Sequence, residues 1–233
     1  MKKEDIIIAP SILAGDFGHL ADEAKRCEDA GADHIHIDIM DGHFVPNLTL
    51  GPKAVAAINR STKLFLDVHI MVYNPFDYIE RLVESGADRI TFHFEATEEV
   101  EDTLNYIRKC NVKAGLAFCP ETSTSMMVPY LDKCDLILLM TVNPGFGGQA
   151  FIEPVIEKIE FARQAIEKRN IFERQTDLES QNKTLFPIQV DGGITRETAK
   201  KCFEAGANDF VAGTYLFESD NLAKAIEGLR NLV

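Results

Sequence analysis

The chain has 233 residues, 45% hydrophobic and 26% charged, an ordinary globular composition that suits one large domain. Its formal net charge of -13 argues against sequence-independent nucleic-acid binding, which needs clustered Lys and Arg, and no apolar run reaches the roughly 18 residues of a membrane helix. Scattered cysteines without a CxxC pair, and a charged N-terminus lacking the apolar stretch of a signal peptide, lead us to expect reduced thiols in a cytoplasmic protein.

In chain order, an apolar run at 6–13 precedes an amphipathic stretch at 17–30 that ends on Ala30-Gly31-Ala32-Asp33. The run HIHIDIM at 34–40 alternates strictly, with Ile35, Ile37 and Ile39 on one face and His34, His36, Asp38 and Met40 on the other. An amphipathic stretch at 52–60 leads to a strand-like run at 64–72, where Leu64, Leu66, Val68 and Ile70 oppose Asp67, His69 and Met71. The stretch at 76–85 ends on Ser85-Gly86-Ala87-Asp88. It gives way to a strand at 89–95, with Ile90, Phe92 and Phe94 against Thr91, His93 and Glu95. A helix at 99–110, a strand at 113–119, a helix at 124–132, a strand at 136–142 and a helix at 152–169 follow. The polar segment 169–186 fits no element well and reads as a helix end plus a surface loop. A strand at 187–191, a helix at 196–205 ending on Ala205-Gly206-Ala207-Asn208, a strand at 209–216 and a helix at 220–232 complete the chain.

Alternation of this kind implies parallel strands joined by helical crossovers. The thrice-repeated Gly sits where a helix has to stop, because it takes the left-handed conformation without a Cβ penalty. We expect an α/β protein with one (β/α)8 barrel over 1–233, the segment 169–186 forming a polar surface insertion. An open doubly wound sheet is the alternative. It normally has fewer strands, and its GxGxxG fingerprint after the first strand is absent.

In a barrel one strand face meets the helices and the other meets the barrel axis. The isoleucine face of 34–40 suits the helices, so His34, His36, Asp38 and Met40 point inward, as do Asp67, His69 and Met71, then Thr91, His93 and Glu95, and finally Gln189 and Asp191. Buried charges are costly unless paired or bound to metal. His36, Asp38, His69 and Asp191 come from three strands and can converge as a site for one divalent cation: Zn2+ or Fe2+, or else Mn2+ or Co2+. Asp38 and Asp191 can also move a proton on and off one carbon, with the cation stabilising the enediolate charge. Met40, Met71 and Met140 would collar the planar intermediate, although Met is more often core filler.

NPGFGGQ at 143–149 follows the sixth strand. Gly145, Phe146, Gly147 and Gly148 there, Gly192 and Gly193 in DGGI after the seventh strand, and Gly213 and Thr214 in AGT on the eighth suit backbone binding of a phosphate. Barrels usually hold phosphate at these final strands.

SILAGDF (11–17), HIDIMDGHFVPNLTLGP (36–52), DVHIMV (67–72), MTVNPGFGGQ (140–149) and VDGGI (190–194) together resemble the ribulose-phosphate 3-epimerase family, in order and over nearly the whole chain. The resemblance implies a TIM barrel of the ribulose-phosphate-binding type, with one divalent metal per chain. It implies interconversion of D-ribulose 5-phosphate and D-xylulose 5-phosphate in the pentose phosphate pathway. It would give the metal to His36, Asp38, His69 and Asp191, and the acid/base pair to Asp38 and Asp191. Substrate contacts would fall to Ser11, His69, Asp191, the three methionines and the glycine segments. The family commonly has Ser where this chain has Thr214, FCPET (118–122) departs from the more usual Asn-Pro-x-Thr-Pro, and 169–186 is longer than typical. An allulose-6-phosphate 3-epimerase would share the barrel and the chemistry, although the double glycine of GFGGQ favours the pentose enzyme. A non-catalytic barrel binding metal or phosphosugar is the alternative outside enzymes. The partner expected is a small sugar phosphate, without nucleic acid or membrane, in a homo-oligomer.

Overall fold

The structure is a computed structural model that describes residues 5–171 and 185–232. Eight parallel strands, β1 (Ile7–Pro10), β2 (His34–Met40), β3 (Phe65–Met71), β4 (Arg89–His93), β5 (Lys113–Phe118), β6 (Leu136–Met140), β7 (Ile188–Asp191) and β8 (Asp209–Ala212), pair in the order β1-β8-β7-β6-β5-β4-β3-β2. A parallel bridge between Ser11 and His36 joins the two ends of this sheet, so the (β/α)8 barrel expected from the sequence is present and nearly closed. Most of segment 169–186, residues 172–184, lies outside the described residues.

The helices wrap the outside: α1 (Leu20–Asp29), α2 (Pro52–Asn59), α3 (Ile79–Glu84), α4 (Val100–Lys109), α5 (Val155–Lys168), α6 (Arg196–Ala205), α7 (Thr214–Phe217) and α8 (Leu222–Arg230). Their ends follow local chemistry. Pro52 opens α2, where its missing N–H costs nothing. Thr195 and Thr198 form a capping box on α6, and the Asn221 side chain caps α8. The repeated glycines Gly31, Gly86 and Gly206 sit at φ 84°, 95° and 119°, as a helix stop requires.

Several expected elements differ in extent, and the run expected at 6–13 gives a strand only at Ile7–Pro10 before a 3-10 turn at Ile12–Ala14. Residues 124–132 hold two 3-10 turns, Thr124–Met126 and Val128–Tyr130, in place of an α-helix. Pro129 lacks the N–H that an α-helical turn through it would need. The strand expected at 209–216 ends at Ala212, and Thr214–Phe217 turns into a short helix. The strand expected at 89–95 ends at His93, with Phe94–Ala96 in a 3-10 turn. The last two stop where the chain leaves the ladder at the C-terminal mouth of the barrel.

The face assignment holds. Ile35, Ile37, Ile39, Leu66, Val68, Ile70, Ile90, Phe92, Ile188 and Val190 join one large hydrophobic cluster between strands and helices. The barrel axis differs: Ala117, Leu136, Leu138 and Met140 of β5 and β6 form a separate apolar cluster, and the side of β3, β4, β7 and β8 is polar. Asp67, Arg89, Gln189 and Asp209 are buried there, with Arg89 donating to Asp67 Oδ1 at 2.7 Å and to Asp209 Oδ2 at 3.1 Å. Gln189 Nε2 donates to Asp67 Oδ2 at 2.7 Å and Asp209 Oδ1 at 3.0 Å. His34, also on the inner face, packs against the Phe65 ring in a tilted arrangement, with centroids 4.5 Å apart.

Candidate active site and metal centre

Strand register builds the site. β2 and β3 pair with His36 opposite Asp67, Asp38 opposite His69, and Met40 opposite Met71, while β6 and β7 set Met140 opposite Asp191. The four residues His36, Asp38, His69 and Asp191 therefore converge: one ligand atom from each lies within 4.8 Å of all the others. His36 and His69 are fully buried, and Asp38 is 3% exposed. The Asp191 side chain is 17% exposed, the most open of the set.

The hydrogen bonds decide which imidazole nitrogen faces the centre. Asp67 Oδ2 lies 2.8 Å from His36 Nδ1, and a carboxylate only accepts, so Nδ1 carries the proton. That leaves His36 Nε2 pointing at Asp38 Oδ1 at 3.3 Å and Asp191 Oδ2 at 3.8 Å. Among the described residues Nε2 is buried with no hydrogen-bond partner. His69 Nδ1 faces the same carboxylates, 3.1 Å from Asp38 Oδ1 and 4.0 Å from Asp191 Oδ2. Two imidazole nitrogens and two carboxylates gathered in a buried spot need a positive charge among them. Two nitrogen and two oxygen donors at this spacing fit a divalent cation.

Without a cation, protons fill that role. Burial works to lower His36, but Asp38 and Asp67 outweigh it and raise its pKa well above the ordinary imidazole value. Burial likewise works to raise Asp38, yet the charge of the nearby His36 and the hydrogen bond to His69 hold it well below the usual carboxylate range. Burial raises Asp191, and the Asp38 charge adds to the rise, to about 7. The two carboxylates are thus unequal: Asp38 is held charged, and Asp191 takes up a proton far more readily.

Above this floor opens a cavity of about 830 Å³. Its lining takes in Ser11, Asp38, Met40, Met71, Met140, Gly145, Phe146, Gly147, Gly148, Asp191, Gly192, Gly193, Gly213 and Thr214, every substrate contact expected from sequence except His69, which lies buried out of the lining. Ser11 Oγ donates to Asp38 Oδ2 at 2.9 Å and ties β1 to the floor. Gly192 and Gly193 have φ 115° and 63°, and a Cβ on them would come within 2.3 Å of Val142 Cγ2 and 2.9 Å of the Phe151 N. Only glycine makes this turn at that closeness.

No Lys or Arg is among the described residues that line the cavity. An anion there has backbone N–H groups and hydroxyls to bind, as the glycine segments suggest. Sequence reasoning missed Asn47, which lines the cavity and donates from Nδ2 to Gly145 O at 2.7 Å, fastening the loop after β2 to the loop after β6. It lay unremarked within the motif HFVPNLTL, where nothing marks its partner 98 residues away.

A (β/α)8 barrel with titratable groups and a cavity at the C-terminal ends of its strands is the architecture of barrel enzymes. Comparison with known proteins names the family. The ribulose-phosphate 3 epimerase family model matches residues 7–217. The ribulose-phosphate 3-epimerase of Chlamydia pneumoniae is 53% identical over 222 residues, which span 95% of this chain and 92% of that one. The Bacillus subtilis enzyme of the same name is 45% identical over 226 residues, 97% of this chain and 98% of that one. This chain belongs to the ribulose-phosphate 3-epimerase family and is an isomerase. Among solved structures, KGPDC from Streptococcus mutans superposes with a TM-score of 0.71 at 14% identity, covering 98% of this chain and 97% of that one. 3-Hexulose-6-phosphate synthase follows with 0.65 at 16% identity, covering 98% and 100%. At such identities the likeness is one of fold. No helix among the described residues is long and apolar enough to cross a membrane.

Proposed function

We propose that the chain interconverts D-ribulose 5-phosphate and D-xylulose 5-phosphate, moving a proton between the two faces of carbon 3. The observation that carries this reading is the meeting of two carboxylates, Asp38 of β2 and Asp191 of β7, on one cavity that also carries the glycine segments. Inverting a carbon beside a carbonyl requires removal of a proton on one face and delivery on the other. One rigid carboxylate cannot serve both faces; two on separate strands can. In one direction Asp38 takes the proton and Asp191 gives one to the opposite face; in the reverse direction they exchange roles. Ser11, donating to Asp38 Oδ2, orients that carboxylate.

His36, Asp38, His69 and Asp191 are the residues that would hold a divalent cation, Zn2+, Fe2+, Mn2+ or Co2+. When bound, the cation supplies Lewis-acid stabilisation of the negative charge that develops on the substrate oxygens. Met40, Met71 and Met140 line the cavity beside the acid/base pair and shield the planar enediolate from water. Gly145, Phe146, Gly147 and Gly148, with Gly192, Gly193, Gly213 and Thr214, hold the phosphate through backbone N–H groups and the Thr214 hydroxyl.

The test is turnover of purified protein on ribulose 5-phosphate and on allulose 6-phosphate, with bound metal measured in the same sample. The expected result is a clear preference for the pentose and about one divalent ion per chain. Preference for the hexose would move the chain to the sister activity, and binding of both without turnover would make it a scaffold. In this reading the enzyme works in the cytoplasm as a homo-oligomer, which cell fractionation and light scattering test.

A further inference from the structure

Two further polar residues, His93 and Glu95, adjoin the site on the far side of His69 and have no part in the chemistry described so far. His69 Nε2 lies 3.0 Å from His93 Nε2, and His93 Nδ1 lies 3.2 Å from Glu95 Oε2. His69 and His93 are fully buried, and the Phe44 ring packs 4.8 Å from that of His93. Glu95 is fixed from outside. Its Oε1 accepts from the Cys119 N–H at 2.9 Å and from the Thr122 hydroxyl. The loop carrying those donors is in turn held by Lys158, whose Nζ donates to the carbonyls of Cys119, Pro120 and Thr122 at 2.9, 2.8 and 2.6 Å.

Without a cation, His69 Nδ1 donates to Asp38 Oδ1 at 3.1 Å. With a cation on that nitrogen, which then cannot carry a proton, proton counting along this chain has one solution for neutral rings. A carboxylate only accepts, so His93 carries its proton on Nδ1, towards Glu95. Its Nε2 is then an acceptor. The facing His69 Nε2 must carry a proton to donate to it, which leaves His69 Nδ1 with a lone pair directed at Asp38 and Asp191. This mirrors the way Asp67 leaves His36 Nε2 free on the other side of the site.

We infer that His93 and Glu95 are positioning residues, holding His69 in the tautomer and orientation that present Nδ1 to a divalent cation. The inference rests on the cation reading of the His36, Asp38, His69 and Asp191 cluster. Partners that orient a ligating histidine typically affect metal affinity about 10–100-fold.

The experiment measures Co2+ and Zn2+ affinity by competition with a chromophoric chelator, together with the Co2+ absorption spectrum, in wild type, His93→Phe, His93→Gln and Glu95→Gln. His93→Phe, which removes the acceptor, should weaken the cation about 10–100-fold and shift the Co2+ bands. His93→Gln, whose amide oxygen can accept from His69, should recover most of the affinity. Glu95→Gln should fall between wild type and His93→Phe. Nitrogen-15 spectra of the zinc-loaded wild type should show His93 as the Nδ1–H tautomer, a readout that needs no variant to fold. Unchanged affinity and spectrum in His93→Phe, or His93 found as the Nε2–H tautomer, would overturn the inference while leaving the cation site standing. So would a second Co2+ with thiolate charge-transfer bands, which would place a metal among His93, Glu95 and Cys119 instead. A wild type that binds no cation would overturn the cation reading and this inference with it.

Discussion

Asp38 and Asp191 bring two carboxylates to one buried floor, and their surroundings differ. Asp38 is tied to Ser11 and His69, with His36 beside it, whereas Asp191 is the more open side chain and is pushed towards neutrality by burial and by the Asp38 charge. Asp38→Asn and Asp191→Asn should each lower kcat roughly 100-fold or more, the scale of lost general acid–base catalysis. Each substitution also removes a candidate ligand, so metal content has to be measured in the same preparations. A variant that keeps its cation and its kcat would remove that residue from proton transfer. A smaller and different effect is expected at Gly147. A Cβ there meets nothing within 4 Å, so Gly147→Val should leave the fold intact. If the Gly147 backbone holds the phosphate, the added side chain obstructs the anion, and KM should rise far more than kcat falls. Steady-state kinetics on the sugar phosphate decide this, and an unchanged KM would free the loop of that role.

At the scale of elements, the register between β2 and β3 makes the site, and the polar layer below it holds that register in place. Asp67 accepts from His36, Arg89 and Gln189 at once, so it links a candidate metal ligand to β4 and β7. Asp67 and Asp209 share one guanidinium. Burial raises Asp209, Arg89 opposes that rise and the Asp67 charge adds to it, leaving a pKa of about 6 against an ordinary 3.8. A carboxyl raised in the folded state favours folding fully below pH 3.8, and that contribution is lost as the pH climbs through 6. Asp209→Asn cannot titrate. Its stability penalty relative to wild type should therefore shrink by on the order of 1 kcal/mol between pH 5 and pH 8, measured by urea unfolding of metal-free protein. A penalty independent of pH would mean that Asp209 stays ionised throughout.

Much of this layer was hidden in the sequence. The alternation of HIHIDIM and of 64–72 shows which side chains turn inward, because period two is a property of the strand itself. It does not show which residue stands opposite which, since register depends on the whole barrel. Arg89 and Asp209 stand at the first positions of β4 and β8, where a charge reads as solvated, yet they are 2% and 0% exposed. Glu95 was legible as inward, but its role depends on a turn after β4 and on donors from the loop after β5. The glycine segments were legible because a phosphate cradle needs Gly at the backbone, and all three line the cavity.

For the whole molecule, the outer core and the site are separate bodies of contact. The helix-facing cluster of isoleucine, leucine, valine and phenylalanine surrounds the barrel without using the four candidate ligands. Removing the cation with a strong chelator should abolish turnover while far-UV circular dichroism stays native, with a lower Tm because a ligand bound only by the folded state is lost. Full turnover in demonstrably metal-free protein would contradict metal assistance. The central claim is that two residues, not one, carry the proton across carbon 3. It is tested most directly by running the reaction in deuterated water and locating deuterium in the product. With Asp38 removing one proton and Asp191 delivering another that exchanges with solvent, the product should gain deuterium at carbon 3. Complete retention of the original hydrogen at that carbon would contradict the account, and the roles given to Asp38 and Asp191 would fall with it.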